Sequence, residues 1–200
     1  VVSVSGNITS GNVLFGSGIV SGTGNITGGN LSVSTGSITV GSIVNANSNG
    51  VGNIGSSTGY FNTVFAKATS AQYADLAEMY VADGYYPPGH VVVFGGEKEI
   101  TLSTKSHDTA VAGMISTNPS YLMNSGLEAD HVVSVALTGR VPCRVVGTIQ
   151  KGDCLVASDI PGVATALNMQ YYKPGCIIGK AMENYDSDVP GVIETAVGRF

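Results

Sequence analysis

The sequence predicts an all-β protein in two unequal parts, and three observations carry that prediction. Residues 1–66 contain no charged residue, no His, no Pro and no Cys, yet they hold 14 of the 28 glycines. Within them a pattern recurs at an interval of 18 residues. From about residue 80, short apolar runs alternate with turns that contain Pro and Gly. We therefore expect a trimeric, intertwined β-helix or β-prism-like shaft at 1–66, a neck at 67–80, and a compact β-sandwich or barrel tip domain at 81–200.

The repeat in the shaft is visible when the chain is shifted by 18 residues, because residues 5–13 then align with residues 23–31. A fixed period of this length is typical of stacked architectures, in which each unit buries itself against the next. Apolar and polar residues alternate at 31–34 and at 37–40, which predicts strands. Recurring Gly-Asn pairs tolerate positive φ and mark turns between those strands.

One copy of this shaft cannot supply its own core. Each short strand offers only two or three apolar side chains, whereas ordering the backbone costs roughly 1–2 kcal/mol per residue. Three identical chains, each contributing an apolar strip to a shared axis, would close a core that one chain cannot. The alternative is a flexible Gly/Ser linker. The recurring register of the apolar residues favours the homotrimer.

The neck has an ambiguous pattern. It is rich enough in Ala for one or two helical turns, and Leu76 and Met79 are its only pair of large apolar side chains at helical spacing. Both a partly helical and an extended neck are compatible with this sequence.

The tip domain is expected to contain eight short strands. Turn signals such as Pro87-Pro88-Gly89 and Pro174-Gly175 separate them, and such a series indicates a small sandwich or barrel. Residues 121–123 are assigned to a short helical or irregular excursion. The predicted strands are 91–94, 98–102, 110–115, 132–137, 141–146, 154–156, 176–182 and 191–197.

Several segments, in their order along the chain, resemble a known family. Residues 53–57 (Asn-Ile-Gly-Ser-Ser) and 60–66 (Tyr-Phe-Asn-Thr-Val-Phe-Ala) resemble the end of the shaft in bacteriophage tail fibres. Residues 73–80 (Tyr-Ala-Asp-Leu-Ala-Glu-Met-Tyr) resemble the entry to a C-terminal fibre domain that is similar to the peptidase G2 group. The resemblance continues in short pieces to residues 179–183 and covers about residues 53–200.

This resemblance implies the C-terminal part of a phage tail fibre, a virion structural protein that folds in the host cytoplasm. It implies a homotrimer, contact with other tail or baseplate proteins through sequence that precedes this chain, and attachment to a glycan or protein of the host surface. The peptidase G2 group is known for intramolecular chaperones that trimerise fibres and sometimes cut themselves off. A self-processing chaperone is therefore one alternative, and a bacterial surface adhesin is another.

Composition argues against other classes of protein. A formal net charge of −5 does not favour nucleic acid as a partner. The longest apolar runs, such as Val91 to Phe94, are too short to insert into a membrane. The three widely spaced cysteines, Cys143, Cys154 and Cys176, suit a reducing compartment better than a disulfide framework. We expect no cofactor, no metal site and no enzymatic activity.

Two hydrolytic activities have candidate residues in the sequence. Autoproteolysis needs a nucleophile beside a base, and the candidates are Lys67 with Ser70, and Ser116 and Ser120 near His107 and Asp108. Proximity in a Ser-rich sequence is weak support, since a triad is defined by geometry. Glycan hydrolysis needs two facing carboxylates, and the candidate pairs are Asp75/Glu78, Glu97/Glu99, Glu128/Asp130 and Asp186/Asp188. We predict neither activity, because the candidate serines are close to a base only in sequence and because acidic residues at turns are ordinarily solvated.

Clustered tyrosines are the predicted receptor-binding residues: Tyr85, Tyr86, Tyr171 and Tyr172. Tyrosine offers a large contact area and a hydroxyl at low entropic cost, which suits adhesive surfaces. The alternative is that one member of each pair belongs to the core, because adjacent strand residues point to opposite faces. His90, His107 and His131 are expected to be hydrogen-bonded structural residues.

Overall fold

A computed structural model of the chain describes residues 37–44, 53–56, 58–66 and 74–198. The chain divides into two units, Val1–Val64 and Phe65–Phe200. The 18-residue repeat, and Lys67 and Ser70 of the neck, lie outside the described residues, so the predictions made for them stay predictions.

The described residues of the N-terminal unit form no strand. Residues 37–40, whose alternation predicts one, pair with none of the other described residues. An isolated turn at 56–59 is closed by reciprocal backbone hydrogen bonds, with Ser56 N to Gly59 O at 3.0 Å and Gly59 N to Ser56 O at 3.2 Å. The intertwined shaft therefore stays a prediction.

Large apolar side chains are exposed all along this stretch of the single chain. All are more than half exposed, from 53% at Val40 to 83% at Tyr60. We refer to them as the exposed apolar series: Ile38, Val40, Ile43, Val44, Ile54, Tyr60, Phe61 and Val64.

The C-terminal unit is all-β over its described residues, with a single 3₁₀ turn at Met169–Tyr171 and no α-helix. No helix long and apolar enough to cross a membrane occurs in the described part of the chain. The described residues of the C-terminal unit form ten strands, which are β1 Asp75–Val81, β2 Val91–Phe94, β3 Ile100–Leu102, β4 Val111–Ile115, β5 Tyr121–Met123, β6 Val132–Ile149, β7 Cys154–Ala157, β8 Ala164–Ala166, β9 Ile177–Ala181 and β10 Tyr185–Val197.

Five of these strands close into a barrel, in the order β6, β10, β9, β7, β8 and back to β6. Neighbours in the ring are antiparallel except for β8, which runs parallel to β6 with Val145 opposite Ala164. Closure leaves these strands without a free edge. The barrel alternative for the C-terminal domain is thus confirmed.

The remaining strands extend from the first half of β6. Strand β4 pairs with β6 and carries β2 and then β3, while β1 pairs antiparallel with β6 and carries the parallel strand β5. Gly139 lies opposite both Asp75 of β1 and Val197 of β10. It has a φ of +118°, and a Cβ there would lie 2.2 Å from the carbonyl oxygen of Ala74. Only glycine fits this close crossing.

Two apolar clusters fill the unit, and β2 contributes to both. Val91 packs in the barrel cluster with Val145 and Leu155, whereas Val92 packs in a second cluster with Ile100 and other residues. Successive strand residues point to opposite faces, so a strand that is covered on both sides is apolar throughout. This accounts for the unbroken Val91–Phe94 run.

Two features of the fold differ from the sequence-based expectation, and a third decides between alternatives that the sequence left open. The predicted strands 132–137 and 141–146 are one continuous strand, because Gly139 continues the ladder instead of forming a turn. Residues 121–123 form β5 through pairing with β1, so the expected helical or irregular excursion is wrong. Residues 75–81 are fully extended as β1, which is the extended alternative for that part of the neck.

Candidate functional site: a cleft at Tyr171 and Tyr172

The first pair of predicted binding tyrosines is divided between surface and core. Tyr85 is 75% exposed, while Tyr86 is half-buried and packs on the second apolar cluster. The Tyr86 hydroxyl donates a hydrogen bond to Asp83. Burial, and then this hydrogen bond, raise the pKa of Tyr86. Tyr86 therefore acts as a packed residue that anchors the loop before β2, and only Tyr85 is available to a partner.

Both tyrosines of the second pair are accessible, with 56% of Tyr171 and 45% of Tyr172 exposed. They lie at the end of the 3₁₀ turn, whose backbone is held at both ends. The Asn168 side chain accepts a hydrogen bond of 3.0 Å from Gln170 N, and Tyr171 N donates to Asn168 O at 3.0 Å. The two rings are thus displayed on a fixed segment of backbone.

His107 ties this segment to a loop that lies more than fifty residues earlier in the chain. Its ring packs edge-on against Tyr171, with centroids 5.7 Å apart and an interplanar angle of 67°. Its Nε2 is 3.2 Å from Asn168 N, and its Nδ1 is 2.8 Å from Ser106 Oγ. His107 is buried and has a φ of +54°, a left-handed conformation that few residues other than Gly adopt.

The partners of His107 determine its tautomer. A backbone N–H can only donate, so Nε2 must accept from Asn168 and carry no proton. The proton of the neutral ring is then on Nδ1, which donates to Ser106 Oγ. In this arrangement the imidazole cannot act as a base toward Ser106, and the Ser106 hydroxyl keeps its own proton for another acceptor. The expectation that His107 is a hydrogen-bonded structural residue is confirmed.

His90 is also fully engaged. Its Nδ1 is 2.8 Å from Pro87 O, and Arg144 Nη1 donates to its Nε2 at 2.8 Å. A guanidinium can only donate, so His90 too carries its proton on Nδ1. This contact joins the loop before β2 to β6.

Around the second tyrosine pair lies an open cleft of about 460 Å³. Its lining combines aromatic faces with hydrogen-bonding groups of both kinds, including one cation and one anion. Asp159 is held in place by accepting a hydrogen bond of 3.0 Å from Ser106 N through Oδ1. We call this site the tyrosine cleft; it is lined by Ser106, His107, Asp159, Gln170, Tyr171, Tyr172 and Lys173.

Tyr172 also borders a second cavity of about 470 Å³, which is lined chiefly by apolar side chains and backbone of β2, β4, β9 and β10. Its apolar lining residues include Phe94, Leu137 and Ile177. Tyr172 therefore borders both the tyrosine cleft and this second cavity.

The candidate nucleophiles in the described residues are engaged elsewhere. Ser116 Oγ donates a hydrogen bond of 2.6 Å to Asp75 Oδ2, and Ser120 Oγ donates one of 2.8 Å to Asp75 O. These contacts fasten the loop after β4 to the start of β1. They bring neither serine to His107.

Several of the candidate carboxylates bind groups within the fold. Glu78 accepts a hydrogen bond from the Tyr80 hydroxyl at 2.8 Å, and Glu99 accepts one from Val81 N at 2.7 Å. Asp186 accepts one from Thr148 at 2.8 Å. Burial, then the hydrogen bond and charge of Glu78, raise the pKa of Tyr80 to about 12. The carboxylates thus have local structural partners.

All three cysteines are free thiols, and Cys143 and Cys176 are buried. Burial raises the pKa of Cys143 to about 12. Within the described residues, no group of three His, Cys, Asp or Glu side chains is placed to hold a metal ion.

The fold defines a class of all-β domains in which a five-stranded barrel shares one long strand with a flanking sheet. No protein-family model matches the chain, and no curated protein matches it. Among solved structures, the chain is similar to the pre-mature gene product 12 of bacteriophage phi29, with 15% sequence identity and a TM-score of 0.50. That match covers 68% of this chain but only 23% of the phi29 protein. Another match, to the head fiber gp8.5 N base of bacteriophage phi29, has 12% identity, covers 61% of this chain and 92% of that one, and has a TM-score of only 0.36.

Sequence reasoning identified the second tyrosine pair but not the groups that surround it. Ser106 is hydrogen-bonded to Asp159 across a separation of 53 residues, and His107 to Asn168 across a separation of 61. Nothing in the local sequence announces such contacts. The Asn168 cap before the 3₁₀ turn was the one signal in the sequence that could have indicated an ordered tyrosine segment.

Proposed function

We propose that this chain is the C-terminal part of a phage tail fibre, a virion structural protein in which a homotrimeric shaft is followed by a domain that aligns the three chains and attaches to the host surface. The likeness of fold to a phage protein supports the phage class. The composition of the shaft and the resemblance of residues 53–80 to fibre sequences support the tail-fibre assignment.

The exposed apolar series is the single observation on which the proposal of a homotrimer rests. Eight large apolar side chains face solvent over fewer than thirty residues in one chain, although burying one such side chain is worth about 1.5–3 kcal/mol. Neighbouring copies of the same chain would supply the cover, since every copy presents the same series. A shaft axis shared by three chains buries it without any charged residue.

The remaining partners follow from this role. Sequence that precedes the chain would join other tail or baseplate proteins, and the C-terminal domain would meet a glycan or protein of the host surface. Free, buried thiols suit folding in the reducing host cytoplasm. By analogy with the peptidase G2 group, the C-terminal domain would set the register of the three chains, here without catalysis.

The decisive experiment is the solution mass of the intact chain, measured by light scattering together with the mass of its polypeptide. We expect three times 20.3 kDa for the assembly and 20.3 kDa for the polypeptide. A monomer would contradict the shared shaft. A polypeptide shortened at 67–80 would instead favour the self-processing chaperone.

A further inference from the structure

We propose that the tyrosine cleft binds an uncharged saccharide of the host surface, with the ring of Tyr171 as the stacking platform. This site would perform the host attachment proposed above and therefore rests on that function. It also restricts attachment to one of the two tyrosine pairs, because Tyr86 is half-buried against the second apolar cluster and Tyr85 lies outside the cleft.

The cleft displays its aromatic rings at little entropic cost to a ligand. The 3₁₀ turn is capped by Asn168, and His107 braces Tyr171 from the side. Because the backbone is already fixed, binding would not have to order it. A large aromatic side chain that is 56% exposed on a fixed turn is suited to contact the apolar face of a sugar ring.

The backbone conformation of His107 supports a binding role for the segment that displays Tyr171. Its φ of +54° is uncommon for a residue with a Cβ, and such a conformation persists only where the surrounding structure holds it. The strained backbone lets one buried ring reach Ser106, Asn168 and Tyr171 at once. His107 is accordingly a positioning residue for the platform.

The polar groups of the cleft match a polyhydroxyl ligand. Ser106 Oγ accepts from His107 and so keeps its own proton to donate, while Asp159 uses only Oδ1 internally. Gln170 and Lys173 add further hydrogen-bonding groups to the lining. Sugar hydroxyls both donate and accept, which such a mixed lining satisfies.

Charge favours a neutral saccharide over an anionic polymer. Among the residues that the structure describes, Lys173 is the one cation lining the cleft, and Asp159 offsets it. The chain as a whole carries a net charge of −5, which would repel a polyanion. The volume of about 460 Å³ lies within the usual range for small-molecule sites, about 300–1,000 Å³.

The test uses the intact chain on a microarray of bacterial surface polysaccharides, both neutral and anionic. Printed polysaccharides are multivalent, so an assembly of three chains gains avidity even when each site is weak. We expect binding to neutral polysaccharides that is unchanged between about 0.15 M and about 1 M NaCl, where charge interactions are screened.

Three variants locate the binding. Tyr171→Ala should lower the apparent affinity about tenfold or more, the usual loss for an aromatic anchor. Tyr171→Phe keeps the ring and should lose less. Tyr85→Ala removes a tyrosine that is more exposed than Tyr171 but lies outside the cleft, and it should leave binding unchanged. Should Tyr171→Ala fail to fold, as judged by its thermal unfolding, Tyr172→Ala takes its place with the same expected loss.

Four results would overturn the site: no spot bound above the signal of heat-unfolded chain, binding only to anionic polysaccharides, equal losses for Tyr85→Ala and Tyr171→Ala, or no loss for any cleft variant. The solution mass of the same samples separates this failure from that of the proposed role. A trimer that binds no neutral polysaccharide refutes the cleft alone, whereas a monomer refutes the shaft whatever the array shows.

Discussion

The two units of the chain differ in how much of their apolar surface is buried within a single chain. The C-terminal unit closes a barrel on itself, so Val91, Val145 and Leu155 are completely buried within one chain. The described residues of the N-terminal unit leave Ile43 and Val44 more than 80% exposed. The difference shows that β-forming sequence alone does not produce a core. A core also needs strands enough in one chain to cover each other, or else further copies of the chain.

The largest effect on stability is expected in the N-terminal unit, from the double substitution Ile43→Ser and Val44→Ser. If these side chains were solvated in the assembly, the double variant would change stability by no more than about 0.5 kcal/mol per site. In a shared core it should cost about 3–6 kcal/mol per chain, or about 1.5–3 for each side chain. Denaturant unfolding of the shaft measures this cost.

Val189→Ser is the matched control for the double variant, since Val189 is 70% exposed on the C-terminal unit. It should change stability by less than about 0.5 kcal/mol. Equal, small effects at both places would mean that no neighbouring chain covers the exposed apolar series.

A somewhat smaller effect is expected on the C-terminal side from Gly139→Ala. The new Cβ would meet Ala74 O at 2.2 Å and Asp75 Cα at 2.5 Å, at a φ of +118°. Overpacking and backbone strain together should cost about 3–5 kcal/mol, measured by denaturant unfolding of the C-terminal unit. Gly126→Ala is the control, because its new Cβ would meet no atom within 4 Å, and its effect on stability should be close to neutral. A similar loss of stability in both variants would show that the general effect of replacing Gly by Ala, and not the close contact with Ala74, causes the loss.

The smallest expected effect is on the pH dependence of the stability of the C-terminal unit, and it comes from Tyr80. Tyr80 has a pKa of about 12 in the folded chain, against 10.0 for an ordinary tyrosine. The neutral hydroxyl is therefore favoured in the folded state, so its contribution to stability is complete below pH 10 and is lost as the pH rises to about 12.

Tyr80→Phe should remove this part of the alkaline loss of stability. Thermal unfolding measured between pH 10 and about pH 12 would show the change. Tyr85→Phe serves as the control, because Tyr85 is largely exposed. An alkaline loss that is identical in Tyr80→Phe and in the unmodified chain would contradict the assignment.

The strands that could be predicted are those whose own residues are strongly apolar and are bounded by turn residues. The run Val91–Phe94 and the segment Cys154–Ala157 are strongly apolar and flanked by Gly or Pro. By contrast, Ala164–Ala166 is too short and too weakly apolar to indicate a strand, and it is fixed by pairing with β7. The sequence of β1 fits helix or strand equally, and its pairing with β6 decides between them.

The candidate site shows the same division. Exposed aromatic pairs could be recognised from composition, which led to Tyr171 and Tyr172. That Tyr86 is half-buried while Tyr85 is exposed depends on the packing of β2 and β3, which no local pattern records. His107 reaches the tyrosines only because barrel closure brings two distant loops together.

The pairing of β1 has a mechanical consequence. The chain enters the described part of the C-terminal domain at Ala74, and β1 follows at once, held by β6 on one side and β5 on the other. A pull directed along β1 from residue 74 would load its hydrogen bonds to both neighbours together, in shear, instead of opening them one after another. In the fibre role proposed above, the domain would then yield only when the whole ladder fails at once.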